Sequence, residues 1–449
     1  MNATMRLSCG VWLAAMLAGC TSAPSKPEAV AHMIQPQRVT EHRGHDDLLT
    51  AGLGLDGLRA MAAPAFADPA HPTAAELRRR AIWGNWRGIA DLSPTGGYGQ
   101  AYGSVASVPG REYSALAKVP GAAQPHRVLV QVPDHFDTGK RCIVVTASSG
   151  SRGIYGAIAV AAPWGLPKGC AVAYTDKGAG TDYFDLDEQQ GAREDGTVGA
   201  LGTDALAFAP DAPVGASGVA VKHAHSKDNP EADWGRHVKQ AAEFALAALD
   251  QAFPQAAPFR FDNTRVIAVG ISNGGGAVLR ASEEEGGWLD AVVAGEPNIY
   301  AADAPGARSL YDYTTEAALL MPCALLDLPA ETLPQPPLRA QVEPLWTARC
   351  ATLKAAGLVT GGDAKAQAAS ARAQLKANGW TDDALVAGAL SVGFDLWRAV
   401  AVTYASAYGR YGVGEHPCGF AFSAQNPDFS ARAASAAERA AWWSDGSGI

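Results

Sequence analysis

The clearest chemical signal in the sequence lies between residues 266 and 279, VIAVGISNGGGAVL. An apolar run meets Ser272, which has Gly270 and Gly274 on either side, and a helix-like run of small residues follows. A serine hydroxyl can attack an ester where a tight turn presents it clear of the backbone, and glycine permits such a turn. The spacing G-x-S-x-G therefore predicts a nucleophile elbow, in which the N–H of Asn273 helps to bind an oxyanion. A Gly/Ser turn kept for packing is the alternative.

A second oxyanion donor is expected in the loop that follows an early strand. The segment ASSGSRG at residues 147–153 directly follows such a predicted strand, and its small residues let the backbone approach a carbonyl oxygen. We predict that Ser149 and Gly150 contribute to the oxyanion hole. A Ser/Gly turn without a chemical role is the alternative.

The acid and the base that would activate Ser272 are less well defined. In this type of enzyme an Asp or Glu and then a His follow the serine in the chain. His416 is the one histidine after Ser272, and it either returns to the serine as the base or is a surface histidine beside a proline. Asp312 and Asp327 are the candidate acids, although neither belongs to a motif.

Two further histidines, His223 and His225 in the segment VKHAH, precede the serine. A His-x-His pair can bind a metal ion, but no third ligand lies nearby in the sequence. We therefore expect a solvated loop and no metal site.

The elements around these residues alternate between strand and helix patterns. A helix is predicted over residues 234–253, because its apolar residues fall near one stripe, and another follows Ser272. Alternating or continuous apolar runs predict strands at 127–132, 142–147, 171–175, 265–269 and 289–294. This order favours an α/β-hydrolase-like fold with a mostly parallel sheet covered on both faces.

The domain organisation follows from changes in composition along the chain. We predict a signal segment at 1–20, a tether and N-terminal extension at 21–110, and the hydrolase core at 111–333. An Ala-rich helical segment at 334–414 is expected to be an inserted lid that binds an apolar ester chain, or else a helical subdomain that contributes only packing. Residues 415–449 are expected to be an incomplete return to the core.

Composition excludes some classes of function. The chain has 449 residues, 48% of them hydrophobic and 18% charged, with a net charge of −9. Its only basic run is Arg78 to Arg80, so the electrostatic footprint of a nucleic-acid-binding protein is missing. A neutral or apolar small substrate fits this composition better.

The N-terminus predicts export. Arg6 precedes a short apolar stretch that ends in Leu17-Ala18-Gly19-Cys20, a pattern similar to a bacterial lipoprotein signal with cleavage before Cys20. We expect a periplasmic, outer-membrane-tethered or secreted protein, with a possible membrane tether through Cys20. In an oxidising compartment Cys142 and Cys170 could pair, and two buried free thiols are the alternative.

Four segments together resemble the bacterial D-3-hydroxybutyrate oligomer hydrolases. They are HRGHDDLLTAGLG at 42–54, ASSGSRG at 147–153, YTDKGAG at 174–180 and GISNGG at 270–275. The resemblance implies an exported serine esterase that cuts short 3-hydroxybutyrate oligomers to monomer without a metal or organic cofactor. It places the active-site serine on Ser272. Members of that family are longer, so we expect the last strands of the sheet, the triad His and perhaps the Asp to be missing here.

Three hypotheses follow. In the first, the protein is a serine esterase that forms an acyl-enzyme on Ser272. In the second, it is a truncated, catalytically incomplete fragment that binds oligomers through its helical region. The third keeps the esterase chemistry but changes the substrate to another ester. Sequence does not indicate the oligomeric state.

Overall fold

A seven-stranded sheet forms the centre of the protein, in a computed structural model that describes residues 33–98, 101–333, 339–393, 395–428, 430–446 and 449. Its strands are β1 (Arg38–His42), β2 (Gly110–Ala117), β3 (His126–Pro133), β4 (Cys142–Ala147), β5 (Ala171–Thr175), β10 (Arg265–Ile271) and β11 (Ala291–Gly295). A smaller sheet contains β6 (Tyr183–Asp185), β7 (Gln190–Ala192), β8 (Val198–Ala200) and β9 (Val219–Val221). The predicted signal segment lies outside the described residues.

The strand order of the large sheet is β1-β2-β3-β5-β4-β10-β11. Strands β5, β4, β10 and β11 are parallel, while β1, β2 and β3 join them through antiparallel pairs. Five of the seven strands therefore run in the same direction. This confirms the predicted α/β-hydrolase-like fold with a mostly parallel sheet.

Helices cover both faces of the large sheet. In chain order up to β11 they are α1 (Gly54–Arg59), α2 (Ala74–Arg87), α3 (Ile158–Gly165), α4 (Lys222–His225), α5 (Trp234–Ala252) and α6 (Asn273–Ala281). Helix α5 packs on β3, β5 and β4, and α6 packs on β10, β4 and β11. Helix α3 covers β4, β5 and β10, and α2 packs against α3. A disulfide between Cys142 and Cys170 joins the beginnings of β4 and β5, which decides between the two alternatives for these cysteines.

The predicted N-terminal extension contributes to the sheet. Strand β1 pairs antiparallel with β2, from Arg38 opposite Ser114 to His42 opposite Gly110. Its side chains alternate between partial exposure and solvent, apart from the buried His42, so hydrophobic patterning gives little sign of this edge strand. Leu58 of α1 and Trp86 of α2, the two helices that follow β1 in the chain, are fully buried in the hydrophobic core.

A helical subdomain with its own core follows β11. Its members are α7 (Leu310–Ala324), α8 (Arg339–Ala355), α9 (Ala364–Ala377), α10 (Asp382–Gly393) and α11 (Leu396–Tyr408). The disulfide between Cys323 and Cys350 joins α7 to α8. The predicted beginning at residue 334 was too late, because α7 already packs against α9 and α11. Within the described residues no single helix is long and apolar enough to cross a membrane, although α10 and α11, bent by 80°, pass that test together on length and composition.

The last described segment contacts the smaller sheet. It contains the two-residue strands β12 (Ala424–Gln425) and β13 (Ala431–Arg432) and the helix α12 (Ala436–Gly446). Arg439 pairs with Asp185 of β6 at 2.7 Å, and the Tyr183 hydroxyl donates to the Arg439 carbonyl. Within residues 415–446, α12 therefore packs against the small sheet while β12 and β13 pair only with each other, and Ile449 is buried in the core beside the large sheet.

Candidate active site

Ser272 lies in a strained turn between β10 and α6. Its backbone has φ 56° and ψ −125°, a conformation that a residue with a side chain rarely adopts. A Cβ on Gly270 would lie 2.2 Å from the Gly274 carbonyl oxygen, and a Cβ on Gly274 would lie 2.5 Å from the Ala147 carbonyl oxygen. Both glycines are therefore required by close backbone approaches, as expected for a nucleophile elbow.

The hydroxyl of Ser272 is not used to stabilise the helix that it precedes. Ser272 is the N-cap of α6, where a serine commonly accepts a hydrogen bond from the first turn, but its side chain makes no capping bond. The residue is half-buried. The first N–H groups of a helix have no intrahelical acceptor, so the N–H of Asn273 is available to an acceptor, and its role in the oxyanion hole stays a prediction.

The loop after β4 flanks this elbow. Strands β4 and β10 are parallel and Thr146 is paired with Val269, so the loop leaves the sheet beside the serine turn. The N–H of Ser148 donates to the Thr175 carbonyl oxygen at 3.0 Å, so it is not available to an oxyanion. Ser149 is buried and Gly150, at φ +55°, is half-buried. Their role as oxyanion donors stays a prediction that the position of the loop supports.

A buried lysine binds this loop from the interior of the protein. Lys177 Nζ donates to Ser148 Oγ at 3.0 Å and also to the Gly150 carbonyl oxygen. Desolvation lowers the pKa of Lys177 to about 8, although Glu231 and Asp176 oppose the shift. The YTDKGAG segment thus places the side chain of Lys177 against the buried side of the candidate oxyanion loop.

His223, which is bonded to Glu231, contacts the same loop at Ser151. The His223 ring is buried, with Nδ1 2.5 Å from Ser151 Oγ and Nε2 2.7 Å from Glu231 Oε1. The sequence-based expectation that His223 and His225 lie on a solvated loop is wrong, because α4 packs against α11 and buries both rings. No hydrophobic pattern marks so short a helix, so nothing local in the sequence indicates this role.

Helix α11 of the predicted lid contacts the elbow through Tyr404. The Asn273 Nδ2 group donates to the Tyr404 hydroxyl. The Tyr404 ring contacts the edge of the His223 ring, with centroids 4.9 Å apart. The helical subdomain therefore contacts the residue that follows the serine, which a subdomain used only for its own packing does not require.

The three sequence-based triad candidates have other partners. His416 Nε2 lies 2.8 Å from His225 Nε2, and its Nδ1 lies 2.6 Å from Ser406 Oγ. Asp312 forms the capping box at the beginning of α7, and Asp327 pairs with Arg372 at 2.9 Å inside the helical subdomain. The hydrogen bonds of the described residues join none of the three to Ser272, so the structure does not bring these candidates together with the serine.

His225 and His416 form a buried pair with each other. Burial lowers the pKa of His225 to about 4, and burial also lowers the pKa of His416. Neutral rings are therefore favoured at physiological pH, which is consistent with a direct contact between two imidazole nitrogens. Within the described ranges no group of three or more His, Cys, Asp or Glu side chains has the arrangement of a metal site.

The sheet order and the strained serine turn together define an α/β-hydrolase scaffold with a nucleophile elbow. The chain belongs to the 3HB-oligomer hydrolase (3HBOH) family, whose model matches residues 14–449. It is 43% identical over 448 residues to a D-(-)-3-hydroxybutyrate oligomer hydrolase of Burkholderia vietnamiensis, covering 89% of this chain and 64% of that relative. A relative of the same name from Burkholderia ambifaria is 40% identical over 470 residues, covering 93% of this chain and 67% of that protein.

Similarity to solved structures is weak. Candida antarctica lipase A aligns with 10% identity and a TM-score of 0.27, covering 48% of this chain and 42% of the lipase. An esterase from Aspergillus oryzae aligns with 10% identity and a TM-score of 0.30, covering 76% of this chain and 60% of the esterase. These scores are too low to support the fold, which is defined here by strand order and the elbow.

Proposed function

We propose that the protein is a serine esterase that hydrolyses 3-hydroxybutyrate dimers and short oligomers to 3-hydroxybutyrate. The observation that carries this proposal is the elbow, because a strained N-cap serine that makes no capping bond is arranged for attack on a substrate. Membership of the 3HB-oligomer hydrolase family supports the choice of substrate. Since the chain spans 64% of its Burkholderia vietnamiensis relative, activity in this polypeptide is part of the proposal.

The proposed reaction passes through an acyl-enzyme. Ser272 Oγ forms a bond to the ester carbonyl carbon while its proton passes to a base, and the carbonyl oxygen becomes an oxyanion. The N–H of Asn273 and the loop after β4 stabilise that charge. The bond from carbon to the leaving oxygen then breaks, and the released hydroxyl group takes up a proton. Water attacks the acyl-enzyme in the same manner and releases the acid, so no metal or organic cofactor is consumed.

The contact between α11 and the elbow supports a lid function for the helical subdomain. Tyr404 contacts both Asn273 and His223, so movement of α11 would uncover the serine turn. A lid of this kind excludes water and accommodates the apolar part of an ester chain. We also propose export of the protein, with Cys20 as a possible lipid anchor, on the basis of the N-terminal pattern.

A second candidate function is oligomer binding without turnover. It is favoured by the partners of His416, Asp312 and Asp327, which leave Ser272 without a hydrogen-bonded base among the described residues. A third candidate is hydrolysis of another ester, such as an aryl ester, by the same chemistry.

The test is hydrolysis of the 3-hydroxybutyrate dimer by the wild-type chain and by Ser272→Ala, with monomer measured by chromatography. We expect monomer from the wild type and only the background rate from the variant. Equal rates for the two proteins would falsify the assignment of Ser272. Dimer that binds the wild type but is never cleaved would establish the binding function, and cleavage of aryl esters alone would establish the third candidate.

A further inference from the structure

Ser151 lies where Lys177 and His223 both hold the loop after β4, and the oxyanion donors predicted from the sequence do not include it. We propose that Ser151 is a catalytic residue that donates two hydrogen bonds, from its N–H and from its hydroxyl, to the carbonyl oxygen that becomes negative when Ser272 attacks. Lys177, His223 and Glu231 are positioning residues in this proposal. The inference rests on the serine-esterase function proposed above.

Lys177 sets the direction of the Ser151 amide. The Lys177 ammonium group is fully buried and binds the Gly150 carbonyl oxygen from the interior. In a planar trans peptide the carbonyl and the following N–H point in opposite directions. The Ser151 N–H therefore points away from Lys177 and the interior, and both Ser151 and Ser272 are half-exposed.

His223 sets the direction of the Ser151 hydroxyl. The Ser151 hydrogen can reach an oxyanion only if Ser151 Oγ accepts a hydrogen bond from Nδ1–H of His223, 2.5 Å away. The carboxylate of Glu231 accepts from Nε2–H on the other side of the ring, at 2.7 Å. Among the described residues Glu231 Oε1 is bonded to His223, and Glu231 Oε2 has no hydrogen-bond partner.

The contacts close a ring around the serine turn. Gly274 of the turn approaches Ala147 at the beginning of the loop so closely that a Cβ would lie 2.5 Å from its carbonyl oxygen. Asn273 binds Tyr404, and Tyr404 contacts His223. His223 binds the loop at Ser151, so the contacts from Glu231 through His223 end on the loop that the serine turn approaches.

A hydrogen bond from Ser151 strengthens during the reaction. As the carbonyl oxygen becomes negative, the bond that Ser151 donates to it becomes a bond to a charged acceptor, which is about twice as strong as a neutral one. No covalent bond forms to Ser151. In the alternative hydrogen-bond arrangement the Ser151 hydroxyl donates to His223 Nδ1, and Ser151 would be a second nucleophile.

The experiment measures the rate at which a fluorophosphonate labels the full chain and maps the adduct by peptide mass spectrometry. The proteins are the wild type, Ser151→Ala, Glu231→Gln, the double variant, Ser272→Ala and Ser406→Ala. Ser406 is the matched control because it makes a similar serine-histidine contact, 2.6 Å to His416 Nδ1, outside the ring of contacts. Thermal unfolding of each variant establishes that it is folded.

The proposal predicts an adduct on Ser272 and a loss of about 100-fold in its labelling rate in Ser151→Ala, the effect typical of removing one oxyanion donor. Glu231→Gln should slow labelling about tenfold in the wild-type background and less than about twofold in the Ser151→Ala background, because a positioning residue acts through Ser151. Ser406→Ala should label at the wild-type rate.

Other outcomes separate this inference from the proposed function. Wild-type labelling of Ser272 in folded Ser151→Ala overturns the role of Ser151 and leaves the esterase standing. An adduct on Ser151, retained in Ser272→Ala, shows that Ser151 is a nucleophile and overturns the inference. Equal effects of Glu231→Gln in both backgrounds overturn the positioning roles of Glu231 and His223. Folded wild-type protein that does not react at Ser272 overturns the proposed function and, with it, this inference.

Discussion

Asp176 and Lys222 form a fully buried ion pair, with 3.3 Å between Oδ2 and Nζ, and the residue that follows each of them holds the loop after β4. Lys177 follows Asp176 and binds the loop from below, while His223 follows Lys222 and contacts Ser151. Burial alone would raise the pKa of Asp176, but Lys222 and neighbouring cations hold it below its usual value. The ion pair therefore fixes two positioning residues relative to each other.

Breaking this pair should destabilise the protein. Lys222→Met leaves Asp176 and Asp182 buried with less compensating charge, and removal of one partner from a buried pair costs about 3–5 kcal/mol. We expect the urea-unfolding midpoint to fall accordingly. Lys376, which pairs with Asp382 on the surface, is the matched control, and Lys376→Met should leave the midpoint nearly unchanged. Equal effects of the two substitutions would contradict the structural role of the buried pair.

The buried ammonium of Lys177 predicts a specific pH dependence of stability. Its folded pKa is about 8, whereas an exposed lysine has a pKa of about 10.4. Between these values the unfolded chain binds more protons than the folded one. The contribution of Lys177 to the free energy of unfolding therefore increases as the pH rises. Relative to Lys177→Met, the wild type should become more stable by roughly 3 kcal/mol across this window, at about 1.36 kcal/mol for each pKa unit.

Urea unfolding of both proteins between pH 7 and pH 10 measures this difference. The gap between wild type and variant should be flat below about pH 8 and should change steadily above it. A gap that does not depend on pH would show that Lys177 is not desolvated in the folded protein.

The strain at Ser272 predicts that two inactive variants differ in stability. Ser272→Gly removes the side chain from a turn at φ 56°, while Ser272→Ala keeps a Cβ there. Strain of this kind costs about 1–3 kcal/mol, so the glycine variant should melt at a higher temperature than the alanine variant despite its more flexible unfolded chain. Differential scanning calorimetry provides the comparison. Identical melting temperatures would argue against a strained elbow.

Two glycine substitutions test how closely the elbow approaches the loop. Gly274→Ala places a Cβ 2.5 Å from the Ala147 carbonyl oxygen, a backbone atom that cannot rotate away. We expect loss of dimer hydrolysis and a lower melting temperature. A Cβ on Gly84, in α2, would meet no atom within 4 Å, so Gly84→Ala should raise stability by about 0.5–1 kcal/mol and preserve activity. If Gly274→Ala and Gly84→Ala have the same effects on activity and melting temperature, the close approach of the elbow to the loop does not explain them.

Much of the fold could be predicted from local patterns. The strands Cys142–Ala147 and Ala171–Thr175 were predicted with the bounds that the structure has, and the predicted helix over 234–253 ends one residue earlier. These elements have continuous apolar runs or a complete amphipathic stripe because they are buried against the sheet. Strands of three residues, such as Val219–Val221, are too short to show a period, so the small sheet was not predicted.

The candidate site also has one part that local sequence patterns indicate and one part that they do not. The turn around Ser272 has a local cause, because glycine is needed at fixed spacing on both sides. The positions of His223 and Lys177 depend on Asp176 and Lys222, which are 46 residues apart in the chain. No local pattern reports a buried ion pair at that separation, and the expectation of a solvated loop at His223 was wrong for this reason.

The most direct measurement is acid quenching of the wild-type chain during reaction with the 3-hydroxybutyrate dimer, followed by peptide mass spectrometry. If Ser272 is the nucleophile, a 3-hydroxybutyryl ester will be found on the peptide that contains Ser272 and will be missing from Ser272→Ala. Release of monomer with the acyl group on another residue, or at an unchanged rate in Ser272→Ala, would contradict that conclusion.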